Sequence, residues 1–159
     1  YAMTGWRIGY AFGNSEIIKA MSKIQGQATS CANSIGQVAS IEALNGDQSA
    51  VDKMIVIFKQ RRDYMIKLLN KLPEVNCLTP GGAFYAFPDF SYYIGKSFHE
   101  KKINNSFDLC DIFLNEAHVA TIPGDGFGAP GYVRFSYAID EKTIEDGIRR
   151  VEKIIEEIH

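Results

Sequence analysis

From Gly5 the chain alternates as a β-strand does, with Trp6, Ile8, Tyr10 and Phe12 on one side and Arg7, Gly9 and Ala11 on the other. The second side is small except for one guanidinium. Gly13-Asn14-Ser15-Glu16 ends this predicted strand and offers a cap, after which Ile17, Ile18, Met21 and Ile24 recur at helical spacing as far as Gly26. Lys19 and Lys23 fall on the polar side of that helix. Gln27-Ala28-Thr29-Ser30-Cys31-Ala32 is small and polar and suits a loop packed closely against another surface. A second helix, capped by Asn33 or Ser34, runs through Leu44 and closes at Asn45-Gly46. Asp47 opens a long third helix to about Leu72, striped by Val51, Ile55, Phe58, Met65 and Leu69 and stopped by Pro73. At about seven turns it is long enough to join two bodies. Its polar run Lys59-Gln60-Arg61-Arg62-Asp63 predicts a solvated face with a Lys59–Asp63 pair one turn apart.

Beyond Pro73 the pattern changes to short strands with helices between them, which predicts an α/β unit. Asn76-Cys77-Leu78 and Ala83-Phe84-Tyr85-Ala86-Phe87 are strand candidates around the turn Pro80-Gly81-Gly82. Residues 90–105 are irregular and polar, with aromatic Phe90, Tyr92 and Tyr93. Ser106 is placed to cap a helix carrying Leu109, Ile112, Phe113 and Ala117. His118–Ile122 is a predicted strand, Pro123–Gly131 a glycine-rich loop and Tyr132–Tyr137 another strand. Asp140 caps a final helix whose buried stripe is Ile144, Ile148, Val151, Ile155 and Ile158. No internal repeat interrupts this order.

Composition narrows the partners. A chain of 159 residues suits one domain or parts of two, and 46% apolar with 23% charged residues is ordinary globular usage. The net charge of −2 and the absence of a basic run argue against a nucleic-acid or anionic-membrane surface. No apolar stretch approaches the roughly 20 residues of a membrane-spanning helix. Cys31, Cys77 and Cys110 are far apart and odd in number, with no histidine at metal-ligand spacing, which points to reduced thiols in an intracellular protein. His99, His118 and His159 stand alone, and Asn104-Asn105-Ser106 fits the glycosylation sequon only as a short chance pattern. With its first methionine at position 3, inside the approach to a strand, the chain does not begin like a natural N-terminus, and a preceding segment is expected.

Two arginines carry the candidate chemistry. Arg7 lies on the small side of the opening strand, and Arg134 lies with Tyr132 and Ser136 opposite the apolar face of Val133, Phe135 and Tyr137. An arginine in a packed strand needs an anion, and its planar fork suits carboxylate or phosphate. From the residues alone, the simpler account of each is structural, as with a strand-end arginine that reaches solvent or an acidic neighbour. Gly124-Asp125-Gly126-Phe127-Gly128-Ala129 satisfies the dinucleotide-binding pattern, but Pro130-Gly131 and a strand follow where a helix is required. It is better explained as a close-packed loop that borders a pocket. Gly81-Gly82 is a turn or a place where backbone approaches a ligand.

Together these pieces resemble the C-terminal part of a class I, fold-type-I aminotransferase dependent on pyridoxal phosphate, most closely the bacterial aspartate aminotransferases. The resemblance is carried by Tyr1-Ala2-Met3-Thr4-Gly5-Trp6-Arg7-Ile8-Gly9-Tyr10, Pro80-Gly81-Gly82-Ala83-Phe84-Tyr85, Ile122-Pro123-Gly124 with Phe127-Gly128, and Val133-Arg134-Phe135-Ser136-Tyr137-Ala138. It implies that Arg7 pairs with the cofactor phosphate and that Arg134 pairs with the α-carboxylate of the substrate. It implies residues 1–46 as the end of the large cofactor-binding domain. Residues 47–159 would then form the interdomain helix, about 47–72, and the small α/β domain. It also places the Schiff-base lysine two residues before Tyr1 and the other cofactor-ring contacts further upstream. The chain therefore carries no catalytic residue of its own, and Lys19, Lys23, Lys53 and Lys59, on outward helix positions, do not replace the lysine. The implied parent is a cytoplasmic homodimer that transfers the amino group of L-aspartate to 2-oxoglutarate; Gln27–Ala32 is our candidate for a segment near its subunit interface, and composition argues against a nucleic-acid or membrane partner. The alternatives are an aminotransferase for aromatic amino acids or prephenate, and a non-catalytic binding or dimerisation fragment.

Overall fold

Short polar side chains start the helices, as the sequence predicts. Asn14 Oδ1 accepts the Glu16 N–H at 2.8 Å ahead of α1 (Ser15–Ala28), and Asn33 Oδ1 accepts the Gly36 N–H at 2.6 Å ahead of α2 (Ser34–Asn45). Asp47 accepts the Ser49 N–H at 3.0 Å where α3 (Ser49–Leu69) begins. These features come from a computed structural model that describes residues 1–159. Its chain divides into two units, Tyr1–Met54 and Ile55–His159.

The first unit is helical and does not contain the predicted opening strand. Thr4–Trp6 forms a 3-10 turn, Arg7 closes it in the left-handed region at φ 51°, and Ile8–Gly13 has no regular structure. Alternation alone does not make a strand, because extended backbone needs a neighbouring ladder for its N–H and C=O groups and this unit offers only helices. Tyr10 and Phe12 accordingly stand 80% and 89% exposed instead of packing on one face. Helix α1 also runs past Gly26 to Ala28, since glycine inside a helix costs only about 1 kcal/mol and does not by itself end it. The loop predicted over 27–32 is therefore shorter at its start, and Ser30 turns it at φ 66°.

In the second unit only the C-terminal half of α3 is buried, through Met65, Ile66 and Leu69, while Ile55, Val56 and Ile57 are exposed. The predicted Lys59–Asp63 pair is absent. Arg62 Nη2 instead meets Asp63 Oδ1 at 2.7 Å and its Nη1 donates to the Pro80 carbonyl at 3.2 Å, so one guanidinium fork serves both. After Leu69 the chain tightens into i→i+3 turns through Leu72 before Pro73.

A three-stranded antiparallel sheet follows in the order β1 (Tyr85–Ala86), β5 (Val133–Ser136), β4 (Ile122–Pro123). Tyr85 pairs with Ser136 and Ile122 with Arg134. These strands are shorter than the predicted 83–87 and 118–122, where Ala83 and His118 take positive φ and break extended geometry. Asn76 contributes one bridge, to Asp89, in place of a strand. Within the segment predicted irregular, Ser91–Tyr93 is a 3-10 turn and β2 (Ser97–Phe98) pairs with β3 (Lys101–Lys102) as a hairpin. Helix α4 (Ser106–Asn115) is capped by Asn105 and not by Ser106. Helix α5 (Glu141–Glu156) is capped by Asp140, and the stripe Ile144, Ile148, Val151, Ile155 and Ile158 is buried as predicted. The core centres on Phe90, whose ring lies 5.6 Å from Phe113 and 6.1 Å from Phe135. Burying each such side chain contributes roughly 1.5–3 kcal/mol.

Candidate functional site: an arginine between two aromatic rings

Strand β5 is central, and its alternation separates two environments. Val133, Phe135 and Tyr137 enter the core, while Arg134 projects from the opposite face, half-buried. Because Tyr85 pairs with Ser136, it sits diagonally beside Arg134 on that face. The guanidinium carbon lies 4.3 Å from the Tyr85 ring centroid and 4.9 Å from that of Phe127. Both ring faces attract the cation. No carboxylate pairs with it: the ion pairs of the chain are Arg62–Asp63, His99–Glu157, Lys101–Asp111 and Arg149–Asp146. The rings thus hold Arg134 in place and leave its N–H fork available to an oxyanion.

Phe127 arrives by way of the glycine-rich loop. Gly124–Phe127 is a 3-10 turn, reversed by Gly128 at φ 72°. A side chain at Gly124 would lie 2.4 Å from the Ala129 carbonyl oxygen and 2.6 Å from that of Tyr132, so the loop closes on itself only with glycine there. The close-packed loop expected from the sequence is therefore present, and no helix follows it. Gly81 and Gly82, by contrast, have open space around them.

Arg7 is exposed, at the end of the first 3-10 turn, where its Nη1 donates to the Thr4 carbonyl at 3.1 Å and no carboxylate pairs with it. Lys19, Lys23, Lys53 and Lys59 are all exposed. Cys31 is exposed, whereas burial pushes the Cys77 and Cys110 thiols up and keeps them protonated. No group of histidine, cysteine and carboxylate residues is placed to hold a metal ion. No helix is long and apolar enough to cross a membrane. The aromatic clamp on Arg134 is what sequence reasoning missed: Tyr85 and Phe127 are both visible in the glycine-containing runs, but their convergence depends on the β1–β5 register and on the loop reversal.

The α/β unit thus presents, from its central strand, an arginine with no carboxylate partner. Comparison with known proteins specifies the class further. Residues 1–151 match the family of class I and II aminotransferases. The chain is 44% identical to the aspartate aminotransferase of Rhizobium meliloti, over 95% of its own length and 37% of that protein. It is 43% identical to the aspartate/prephenate aminotransferase of Nitrosomonas europaea, over 98% of its length and 40% of that protein. The crystal structure of the aspartate aminotransferase from Rhizobium meliloti superposes with a TM-score of 0.89 at 42% identity, covering 100% of this chain and 40% of that one. The chain belongs to the class I and II aminotransferase family. Its fold is the corresponding part of the aminotransferase fold, and it spans about two-fifths of the length of these relatives.

Proposed function

We propose that the chain is the C-terminal part of an aminotransferase that uses pyridoxal phosphate to move the amino group of L-aspartate to 2-oxoglutarate. The observation that carries this reading is Arg134, fixed between Tyr85 and Phe127 without a counter-ion. In it Arg134 binds the α-carboxylate of amino-acid and oxo-acid substrates alike, and its bidentate geometry orients the substrate carbon. Arg7 fits the cofactor phosphate: it is an exposed cation with no carboxylate partner and one hydrogen bond to Thr4, which leaves its other N–H donors for phosphate oxygens. Pyridoxal phosphate supplies the aldehyde that takes up the amino group and the ring that delocalises charge from the substrate carbon. Residues 1–46 belong in this reading to the large cofactor-binding domain and 47–159 to the interdomain helix and small domain. The parent is a homodimer in the cytoplasm.

The amine that such chemistry needs is not offered by Lys19, Lys23, Lys53 or Lys59, which face solvent. In this reading the chain alone is inactive. A coupled assay of oxaloacetate formation tests both statements: the full-length parent turns over L-aspartate with 2-oxoglutarate and this chain does not. Turnover by this chain at the parent's rate overturns the second statement, and a parent inert toward L-aspartate overturns the first.

A second reading is favoured by the relative from Nitrosomonas europaea, whose name includes prephenate. Prephenate also carries the carboxylate that Arg134 would hold. A panel of L-aspartate, prephenate and aromatic amino acids on the full-length enzyme separates the two readings by their kcat/KM values.

A further inference from the structure

We infer that Asp125 is a positioning residue for the substrate carboxylate, holding the turn that presents Phe127 to Arg134 by anchoring it to Ser106 at the start of α4. The inference rests on the proposed role of Arg134.

Ser106 and Asp125 are 19 positions apart and joined three times. The Ser106 N–H donates to Asp125 Oδ2 at 3.1 Å, the Ser106 hydroxyl donates to the same oxygen, and the Asp125 N–H donates to Ser106 Oγ at 3.2 Å. Ser106 is fully buried. Its N–H is one of the donors that a helix start leaves without an intrahelical partner, and a carboxylate there also suits the helix dipole. The anchor thus has a structural cause before it has a functional one.

Its consequence reaches Arg134 through two residues of backbone. The Gly128 N–H donates to the Asp125 carbonyl and the Ala129 N–H to the Gly124 carbonyl, each at 3.0 Å, so Asp125 and Phe127 move as one turn. Phe127 is 55% exposed and is not among the hydrophobic side chains packed against the core; its aromatic and cation–π partners are Phe87, edge-on at 6.2 Å, and Arg134. The core does not hold that ring, so its place over the guanidinium is set by the backbone that Asp125 pins. Freed from Asp125, Phe127 withdraws one wall of the clamp, and Arg134 must then be ordered by the ligand itself.

The test uses the full-length parent enzyme with Asp125→Ala, Asp125→Asn, Ser106→Ala and Arg134→Ala, reading kcat and KM separately. An interaction made equally with bound substrate and transition state appears in KM. Asp125→Ala is expected to raise KM for both L-aspartate and 2-oxoglutarate about 3–10-fold with kcat within about twofold. Asp125→Asn keeps an oxygen for the Ser106 N–H and is expected to recover at least half of that loss on a logarithmic scale. If Asp125→Ala does not fold, Ser106→Ala and Asp125→Asn carry the test, each with a smaller rise in KM of the same sign. Unchanged KM in every foldable variant, or a fall in kcat without a rise in KM, overturns the inference. Arg134→Ala separates the two levels. If it raises KM strongly while the Asp125 and Ser106 variants do not, positioning alone fails; if it leaves KM unaltered, the carboxylate role of Arg134 fails first.

Discussion

The Tyr137 hydroxyl donates to the Ala83 carbonyl at 3.0 Å, across 54 positions of sequence. The Tyr137 N–H donates to the neighbouring Phe84 carbonyl at 2.9 Å, so the end of β5 grips the segment that leads into β1. That grip sets where Tyr85 lies relative to Arg134. Burial pushes the Tyr137 phenol up, which keeps the donor protonated at neutral pH. Tyr137→Phe should lower the stability of the second unit by about 0.5–1.5 kcal/mol. Denaturant unfolding at constant m-value measures the loss.

Gly124→Ala should be more damaging than its size suggests. The added methyl meets two carbonyl oxygens and Tyr132 Cβ at 2.8 Å, all of them atoms fixed by the loop backbone. A cost of about 1–3 kcal/mol is expected from overpacking. Thermal unfolding of this variant beside Gly126→Ala, where nothing lies within 4 Å, isolates the steric cause.

The contrast between these two glycines shows what sequence does and does not disclose. Helix starts were legible because Asn14, Asn33 and Asp140 act on backbone N–H groups within three residues. The stripe of α5 is legible because its helical period gathers the apolar residues on one side, and the second unit covers that side. The opening strand does not form because alternation says nothing about a pairing partner; of the α3 stripe only Ile55 is exposed, while Val51 is half-buried and Phe58 packs against the core. At the site, Arg134 stood out as a lone cation in an apolar strand. Its clamp did not, since Tyr85 and Phe127 reach it from segments 49 and 7 positions away through register and a chain reversal. Ser106 reads as a cap from the sequence but anchors the loop, a role visible only once Asp125 is seen beside it.

Alkaline pH should destabilise the fold through Tyr93. Its hydroxyl donates to the Pro73 carbonyl at 2.6 Å, and burial, followed by the charges of Tyr92 and Glu74, pushes its pKa from 10.0 up to about 12. Below pH 10 folded and unfolded forms are both protonated and the contribution is intact. Between pH 10 and about 12 the unfolded tyrosine loses its proton while the folded one keeps it, so stability falls as pH rises through that window. The slope from this group is at most about 1.4 kcal/mol per pH unit. Tyr93→Phe should flatten the decline without abolishing it, because Tyr137 shifts in the same direction.

Phe90→Ala should remove the centre of the aromatic core. Phe90 has no exposed surface and contacts the rings of Tyr93, Phe113 and Phe135. A loss of about 3–5 kcal/mol is expected, enough to unfold a marginal domain. Far-ultraviolet circular dichroism against temperature reports it directly.

The account depends most on Arg134 holding the substrate carboxylate through a bidentate fork. Replacing it with lysine keeps the charge and removes the fork. Steady-state kinetics of the full-length enzyme carrying Arg134→Lys should show KM for L-aspartate and 2-oxoglutarate rising together by at least about tenfold, as loss of a charged hydrogen bond requires. KM values for both substrates within about twofold of the unaltered enzyme would contradict it.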